Sequence, residues 1–267
     1  MEDNKKHKIS LAIPTYNSSV YLFDCIKSLT KYSCVEEVII QDDHSNEEEY
    51  MNIKTIVDKF SQTLNIKLFR NDKNEGAFIN KFYNIKNCKN SIVYQIDSDN
   101  IPGSNLDIIV NQITENTENK ILYLPSKIYQ FRKYHNLARV LSFFNKKYRV
   151  TYTKNDFVFD SEVLKEAIEK DVKFTVDKNI NWILNSGNFF VNRDDYIKTF
   201  ELEIEKDIRY PLDAVAISYF WIKNGGKIKT LKDLNHFHRK RTDSVSFVES
   251  KGSFESLNEF RNLFLSI

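Results

Sequence analysis

Ile92-Val93-Tyr94-Gln95-Ile96-Asp97-Ser98-Asp99-Asn100 is the stretch that decides the fold. Its first half is apolar enough to be a strand covered on both faces, and it runs directly into a cluster of oxygen-bearing side chains. Upstream, the same alternation recurs. Ile9 to Ile13 reads as a strand and Val20 to Thr30 as a helix, followed by a strand at Val38 to Ile40 and a helix over Glu47 to Phe60. Ile66 to Phe69 and Ala77 to Ile85 repeat the pair. This βαβα rhythm predicts a parallel sheet with four strands in the first hundred residues.

In open parallel sheets, ligands bind beyond the carboxyl ends of the strands. Polar residues gather at those ends: Pro14-Thr15-Tyr16-Asn17, Gln41-Asp42-Asp43-His44-Ser45, Asn71 to Gly76, and Asp97 to Asn100. One rim is therefore expected to carry the chemistry. Downstream of Pro102 the rhythm loosens into a helix near Leu106 to Thr114, a strand at Lys120 to Leu124 and a basic aromatic stretch from Lys127 to Lys154. Asn185-Ser186-Gly187-Asn188 then precedes the apolar Phe189 to Val191, and Leu212 to Ile222 reads as a helix. Gly225-Gly226 stops that helix before a strand at Lys227 to Leu231.

Composition narrows the function classes. With 267 residues, 41% hydrophobic and 28% charged, the chain is a globular protein able to bury a sizeable core. A net charge of +2 gives no global drive toward nucleic acid, so no nucleic-acid partner is expected. The three cysteines, Cys25, Cys34 and Cys88, lack CxxC spacing and read as free thiols of a reducing compartment. The polar start, with Lys5, Lys6 and Lys8, does not read as a secretion signal, and no window approaches the roughly 20 apolar residues that span a bilayer. The expected location is cytoplasmic, with peripheral contact at the inner face of a membrane left open.

Asp97-Ser98-Asp99 is the strongest local signal. A divalent cation that bridges phosphates needs a hard oxygen ligand on a rigid strand end and a second carboxylate nearby. The competing reading is a solvated turn, because Asp and Asn favour turns and Pro102-Gly103 follows. A calcium loop fails at Ile101 and Pro102, where an oxygen side chain and Gly are required. Asp42-Asp43 suits the N–H of a base or ribose hydroxyls, and equally suits the N-terminal region of the next helix. Neither GxGxxG nor GxxxxGK[ST] occurs, so phosphate charge falls to a metal and to Lys81, Arg239 and Arg241.

Together, Pro14-Thr15-Tyr16-Asn17, Asp42-Asp43-x-Ser45, Asn74-x-Gly76 and Ile96-Asp97-Ser98-Asp99 resemble, in order and spacing, the inverting family 2 glycosyltransferases of the GT-A fold. The likeness covers the first hundred residues well and the rest more thinly. It implies that Thr15, Tyr16 and Asp43 hold the base, that Asp97 lies near ribose and metal, and that Asp99 coordinates Mn²⁺ or Mg²⁺. Lys81 stands where the family commonly has Arg, toward the diphosphate. Asp213 is the implied general base, against the alternative of an N-cap after Pro211. His238-Arg239-Lys240-Arg241-Thr242-Asp243-Ser244-Val245-Ser246 resembles the family's late basic loop over the diphosphate, with Arg239, Ser244 and Ser246 in register. Arg241 replaces a frequent His, which leaves His238 or His236 as the candidate metal ligand, with His238 preferred. Gly187 and Asn188 resemble the acceptor-facing segment, with Trp182 as a sugar-stacking platform or a structural core residue.

The expected architecture is thus α/β: a GT-A, Rossmann-like, mostly parallel central sheet flanked by helices, with an acceptor-binding second half. One domain over 1–267 is expected, with a nucleotide-sugar half at about 8–103, an acceptor half at about 104–235 and a C-terminal basic loop and helix at about 236–267. The expected reaction is metal-dependent, inverting transfer from a nucleoside diphosphate sugar, UDP-sugar favoured, to a glycan or lipid-linked glycan. A sugar nucleotidyltransferase would want a Gly-rich, Arg-containing loop after the first strand. An inactive binding module is the non-enzymatic alternative.

Overall fold

The computed structural model of the protein describes residues 7–103, 105–114, 120–131, 150–152, 155–169, 187–206, 210 and 212–241. Trp182, Ser244, most of the basic aromatic stretch and residues 242–267 of the expected C-terminal loop and helix lie outside the described residues.

The first hundred residues form β1 (Ile9–Thr15), α1 (Ser19–Leu29), β2 (Val35–Asp42), α2 (Glu47–Phe60), β3 (Ile66–Arg70), α3 (Ala77–Lys86) and β4 (Ile92–Gln95). The helix starts have local causes. The Asn46 side chain accepts from Glu49 N at 3.0 Å, and Glu47, Glu48 and Glu49 place negative charge at the positive end of α2. Gly76 enters α3 with φ 90°, a left-handed conformation costly for a residue with a Cβ.

The second half adds β5 (Ile101–Pro102), α4 (Leu106–Thr114), β6 (Ile121–Phe131), β7 (Val150–Tyr152), β8 (Val158–Phe159) and α5 (Ser161–Glu169). Then come β9 (Phe189–Asn192), α6 (Arg193–Ile204), α7 (Asp213–Lys223) and β10 (Lys227–Arg239). Among the described residues, one sheet runs in the order β3-β2-β1-β4-β9-β6-β10-β5, with β7 beside β6 and β8 beside β10. Strands β3, β2, β1 and β4 are parallel; β9 runs against both β4 and β6, and β10 is parallel to β6. Six strands therefore share one direction along that path, and their carboxyl ends form one rim.

Both faces are covered, which explains the unbroken apolar runs. Ala12, Ile39, Val93 and Leu122 join one core with Phe78, Phe200 and Trp221 from α3, α6 and α7. Leu11, Ile13, Val38, Ile40 and Tyr94 join the other with Leu22, Ile53 and Ile109 from α1, α2 and α4. Alternate residues thus point to opposite layers. Tyr94 and Phe190 stack at 4.2 Å where β4 meets β9.

Three local expectations change. The strand expected at Lys120 to Leu124 continues to Phe131, because its backbone finds partners in β10 as far as Arg239. The strand expected at Lys227 to Leu231 continues to Arg239 through a register shift between Leu231 and Asn235, where Asp233 has φ 69°. His238 and Arg239 therefore end a strand, whereas the basic motif predicts a loop. Helix α6 was not signalled by apolar periodicity; its marker is Asn192, whose side chain accepts from Asp194 N and Asp195 N at 3.0 and 3.1 Å.

Candidate active site

The rim is assembled from the loops that leave β1, β2, β3 and β4. Thr15 Oγ1 and Ser18 Oγ lie 2.8 Å apart, and Ser18 Oγ and Ser98 Oγ 2.9 Å apart, so a buried chain of hydroxyls joins the ends of β1 and β4. Ser98 thus faces inward between its two flanking carboxylates. Asn17, with φ 44°, donates its N–H to Ser45 Oγ and accepts from Asn46 N through its side chain, tying the first loop to the second. Pro14 pairs with Gln41 at the last turn of β1, and Tyr16 projects into solvent with 48% of its surface exposed.

Asp42 and Asp43 have different surroundings. Asp42 is fully buried and accepts from Ser45 N and Ser45 Oγ, with Arg70 Nε 3.4 Å away. Burial pushes its carboxyl above the usual range, against the opposing pull of Ser45 and Arg70. Asp43 accepts from Asn71 Nδ2 and Glu75 N at 2.8 Å and from Gly76 N at 2.9 Å. It therefore folds the Asn74-x-Gly76 loop against the end of β2 and sets the start of α3.

The centre of the site is a charge cluster between α3, the end of β4 and the start of α7. Lys81 Nζ lies 3.0 Å from Asp97 Oδ1 and 2.6 Å from Asp213 Oδ2, and only 5% of its side chain is exposed. Burial alone would lower this ammonium; the Asp213 and Asp97 carboxylates outweigh it and hold Lys81 above its ordinary range. Asp213 is the first residue of α7, with Leu212 as the N-cap, so the N-cap reading of Asp213 does not hold. Its carboxylate points to Lys81. The Asn188 side chain accepts from Asp97 N at 2.7 Å, and Gln95 Nε2 donates to both Asp97 Oδ1 at 3.3 Å and Gly187 O at 3.0 Å. A Cβ on Gly187 would lie 2.7 Å from Asp97 Oδ2 and 3.1 Å from Lys81 Nζ. A side chain there would force the Asp97 carboxylate to shift.

Asp99 faces the end of β10. Arg241 Nη1 is 3.3 Å from Asp99 Oδ2, and burial together with the Asp97 charge pushes Asp99 up to about 6 against the pull of Arg241 and Arg239. Arg239 donates to Asp99 O and pairs with Asp24 at 2.9 Å, its guanidinium lying over Tyr21 and Phe131. Arg241 lies over the same Tyr21 ring. Burial, partly offset by the Asp97 charge, pushes His238 below its usual value. The ring of His238 is 6.1 Å from that of His236, which burial pushes down to about 3. No group of three His, Cys, Asp or Glu side chains is gathered as a metal cluster among the described residues, so His238 does not complete a ready-made set with Asp97 and Asp99.

Sequence reasoning did not single out Ser18, Asp24, Tyr21 or Gln95. Gln95 was visible as a polar residue inside an apolar strand two positions before Asp97. Tyr21 and Asp24 are spaced i, i+3 on α1 and so share a helix face.

Comparison with known proteins gives a consistent picture. The sequence profile of the family described as Glycosyl transferase family 2 matches residues 10–163. An Escherichia coli protein named UDP-Gal:alpha-D-GlcNAc-diphosphoundecaprenol beta-1,3-galactosyltransferase is 27% identical over 124 residues, 45% of this chain and 44% of that protein. Glycosyltransferase GlyG of Streptococcus pneumoniae serotype 4 is 22% identical over 247 residues, 90% of this chain and 73% of that one. The chain thus spans less than half of the first relative and most of the second. Among solved structures, S. aureus TarS 1-349 in complex with UDP-GlcNAc superposes with a TM-score of 0.59 at 18% identity, over 96% of this chain and 66% of that one. GalNAc-T7 with UDP, GalNAc and Mn²⁺ gives 0.61 at 18% identity, over 90% and 44%. At these identities the structural likeness shows the fold, and the profile match over more than half of the sequence shows the family. The chain belongs to glycosyl transferase family 2 and carries a glycosyltransferase domain.

Proposed function

We propose that this protein transfers a sugar, with inversion, from a nucleoside diphosphate sugar to the hydroxyl of a glycan or lipid-linked glycan, in bacterial surface polysaccharide synthesis. The observation that carries the reading is the Lys81 cluster: Asp213, the one carboxylate contributed by α7, stands within one ammonium's reach of Asp97 at the end of β4. A base and a donor-side carboxylate are thereby held in the same small volume at the sheet rim. Names of similar proteins support the substrate class, since TarS is bound to UDP-GlcNAc and the E. coli relative is named for UDP-Gal and a diphosphoundecaprenol acceptor.

In this reading Pro14, Thr15, Tyr16 and Asn17 border the base, with the exposed Tyr16 ring free to stack on it. Asp43 and the Asn74-x-Gly76 loop shape the nucleoside pocket, and the buried Asp42 holds that loop's neighbour in place. Lys81, Arg239 and Arg241 offset diphosphate charge, and Ser244 supplies a hydroxyl donor to it. Residues about 104–235 form the acceptor half, with Gly187, Asn188 and Trp182 on the acceptor side. Asp213 takes the proton of the acceptor hydroxyl. The new bond from that oxygen to the anomeric carbon forms as the bond to the diphosphate breaks, and the electron pair leaves on the diphosphate oxygen.

The donor set fits a hard divalent cation. Asp97 and Asp99 offer carboxylate oxygens at one rigid strand end, burial and the neighbouring Asp97 charge raise the proton affinity of Asp99, and these two residues would hold Mn²⁺ or Mg²⁺. When bound, such an ion stabilises the negative charge of the leaving diphosphate.

A thermal-shift screen against UDP, GDP, CMP and their sugar conjugates, with and without Mn²⁺, tests the reading. A melting-temperature rise with one nucleoside diphosphate that requires Mn²⁺ is expected, because a ligand held by the native state stabilises it. No shift with any nucleotide would remove the donor site and leave a carbohydrate-binding module. A shift confined to nucleoside triphosphates would point instead to nucleotidyl transfer.

A further inference from the structure

We propose that Lys81 is a shared cation that couples donor binding to the general base: in the donor-free protein it holds Asp213 in an ion pair, and an arriving diphosphate competes for it. The inference rests on the donor-and-base reading above and adds to it an order of events within the site.

Lys81 is placed for two masters. Its ammonium is 2.6 Å from Asp213 and 3.0 Å from Asp97, while 22% of the Asp213 side chain and 32% of that of Asp97 remain exposed. Among the described residues, Lys81 is the one cation paired with Asp213. Asp97 has a further donor in Gln95. The cluster therefore contains two carboxylates and one ammonium, and Gly187 closes it so tightly that a single added carbon would meet both Asp97 and Lys81. A buried ammonium cannot be left without compensating negative charge. It stays on the carboxylates until another anion reaches it.

At this distance Asp213 Oδ2 is occupied by the ammonium and the carboxylate is held turned toward α3, which leaves an acceptor hydroxyl one oxygen until Lys81 moves. A nucleoside diphosphate entering beside Asp97 brings phosphate oxygens toward Lys81, and each step of Lys81 toward phosphate loosens its hold on Asp213. Linkage makes the coupling reciprocal: whatever Asp213 contributes to holding Lys81, the diphosphate must overcome. Lys81 thus acts on catalysis as a positioning residue, releasing the base when the donor is in place.

Binding titrations of UDP in the presence of Mn²⁺, by calorimetry, test this without any turnover. Asp213→Asn should bind UDP about three- to tenfold more tightly than the wild type, an effect of up to about 1.4 kcal/mol. The gain should vanish when Asp213→Asn is made in a Lys81→Met background and persist in a Lys81→Arg background. Lys81→Gln, which keeps hydrogen-bonding capacity without the charge, replaces the Met variant where that one does not fold. Unchanged or weaker UDP binding by Asp213→Asn overturns the coupling. A gain that survives loss of the Lys81 charge also overturns it, since simple repulsion between Asp213 and phosphate would then suffice. A wild type that binds no nucleoside diphosphate sinks the donor reading itself, an outcome separate from binding without coupling.

Discussion

In the Asp213→Asn variant, turnover of a nucleoside diphosphate sugar is expected to fall by about two to four orders of magnitude, the range that general acid–base groups contribute. The amide is isosteric with the carboxylate but cannot accept the acceptor's proton. Donor affinity is not expected to fall, because Asp213 meets Lys81 and not the nucleoside-side loops. Steady-state kinetics with saturating acceptor separate the two effects: a collapse of kcat with donor KM held or lowered is the expected pattern. A loss in kcat of less than threefold would remove Asp213 from the base role and direct attention to other carboxylates of the acceptor half.

Asp99→Asn is expected to act in opposite directions on function and stability. Binding of UDP should lose its Mn²⁺ dependence, and turnover should drop by about a hundredfold or more, since metal stabilisation of a leaving group is worth several kcal/mol. Folding stability measured in a chelator should rise. The folded-state carboxyl is pushed up to about 6 by burial and by Asp97, above the usual unfolded value near 4. A group raised in this way favours the folded state while protonated and loses that contribution as pH climbs through its folded value. The Asp99 contribution to wild-type stability should therefore decline between about pH 4 and pH 6 by up to about 3 kcal/mol, so the Asn variant should gain on the wild type over that range. Arg241 loses a partner 3.3 Å away but keeps its place over Tyr21. Chemical denaturation at pH 4, 5, 6 and 7 checks the sign. An Asp99→Asn variant that is less stable than the wild type at every pH, or still responds to Mn²⁺, would contradict the assignment.

The first hundred residues were legible because their chemistry is local and periodic. Unbroken apolar runs such as Val38 to Ile40 mark strands buried on both faces, and the strand ends are labelled by Asp, Asn and Thr in loops whose side chains knit to one another. The second half was harder because its elements are stabilised by distant partners. β6 carries Pro125, Ser126, Lys127 and Gln130, and β10 carries Lys232, Asp233, Asn235 and His236, none of which advertises a strand. They stand in strands because β6 and β10 pair along most of their length, across a bulge that no local signal announces. The same holds for the site. Asp97 and Asp99 were visible as a motif, but the meeting of Lys81 with Asp213, residues 132 positions apart in sequence and 2.6 Å apart in space, exists only once α7 packs beside α3. Asp42 shows the reverse: a polar residue at a strand end, as expected of a ligand contact, whose carboxylate is enclosed by Ser45 and Arg70.

The most direct test of glycosyl transfer at this rim is the release of UDP from a panel of UDP-sugars by the purified protein with Mn²⁺ and a lipid-linked glycan acceptor. Acceptor-dependent UDP release with one sugar, lost in a chelator and in Asp213→Asn, is the predicted result. Release of pyrophosphate from UTP and a sugar phosphate, or no release while glycans still bind, would contradict it.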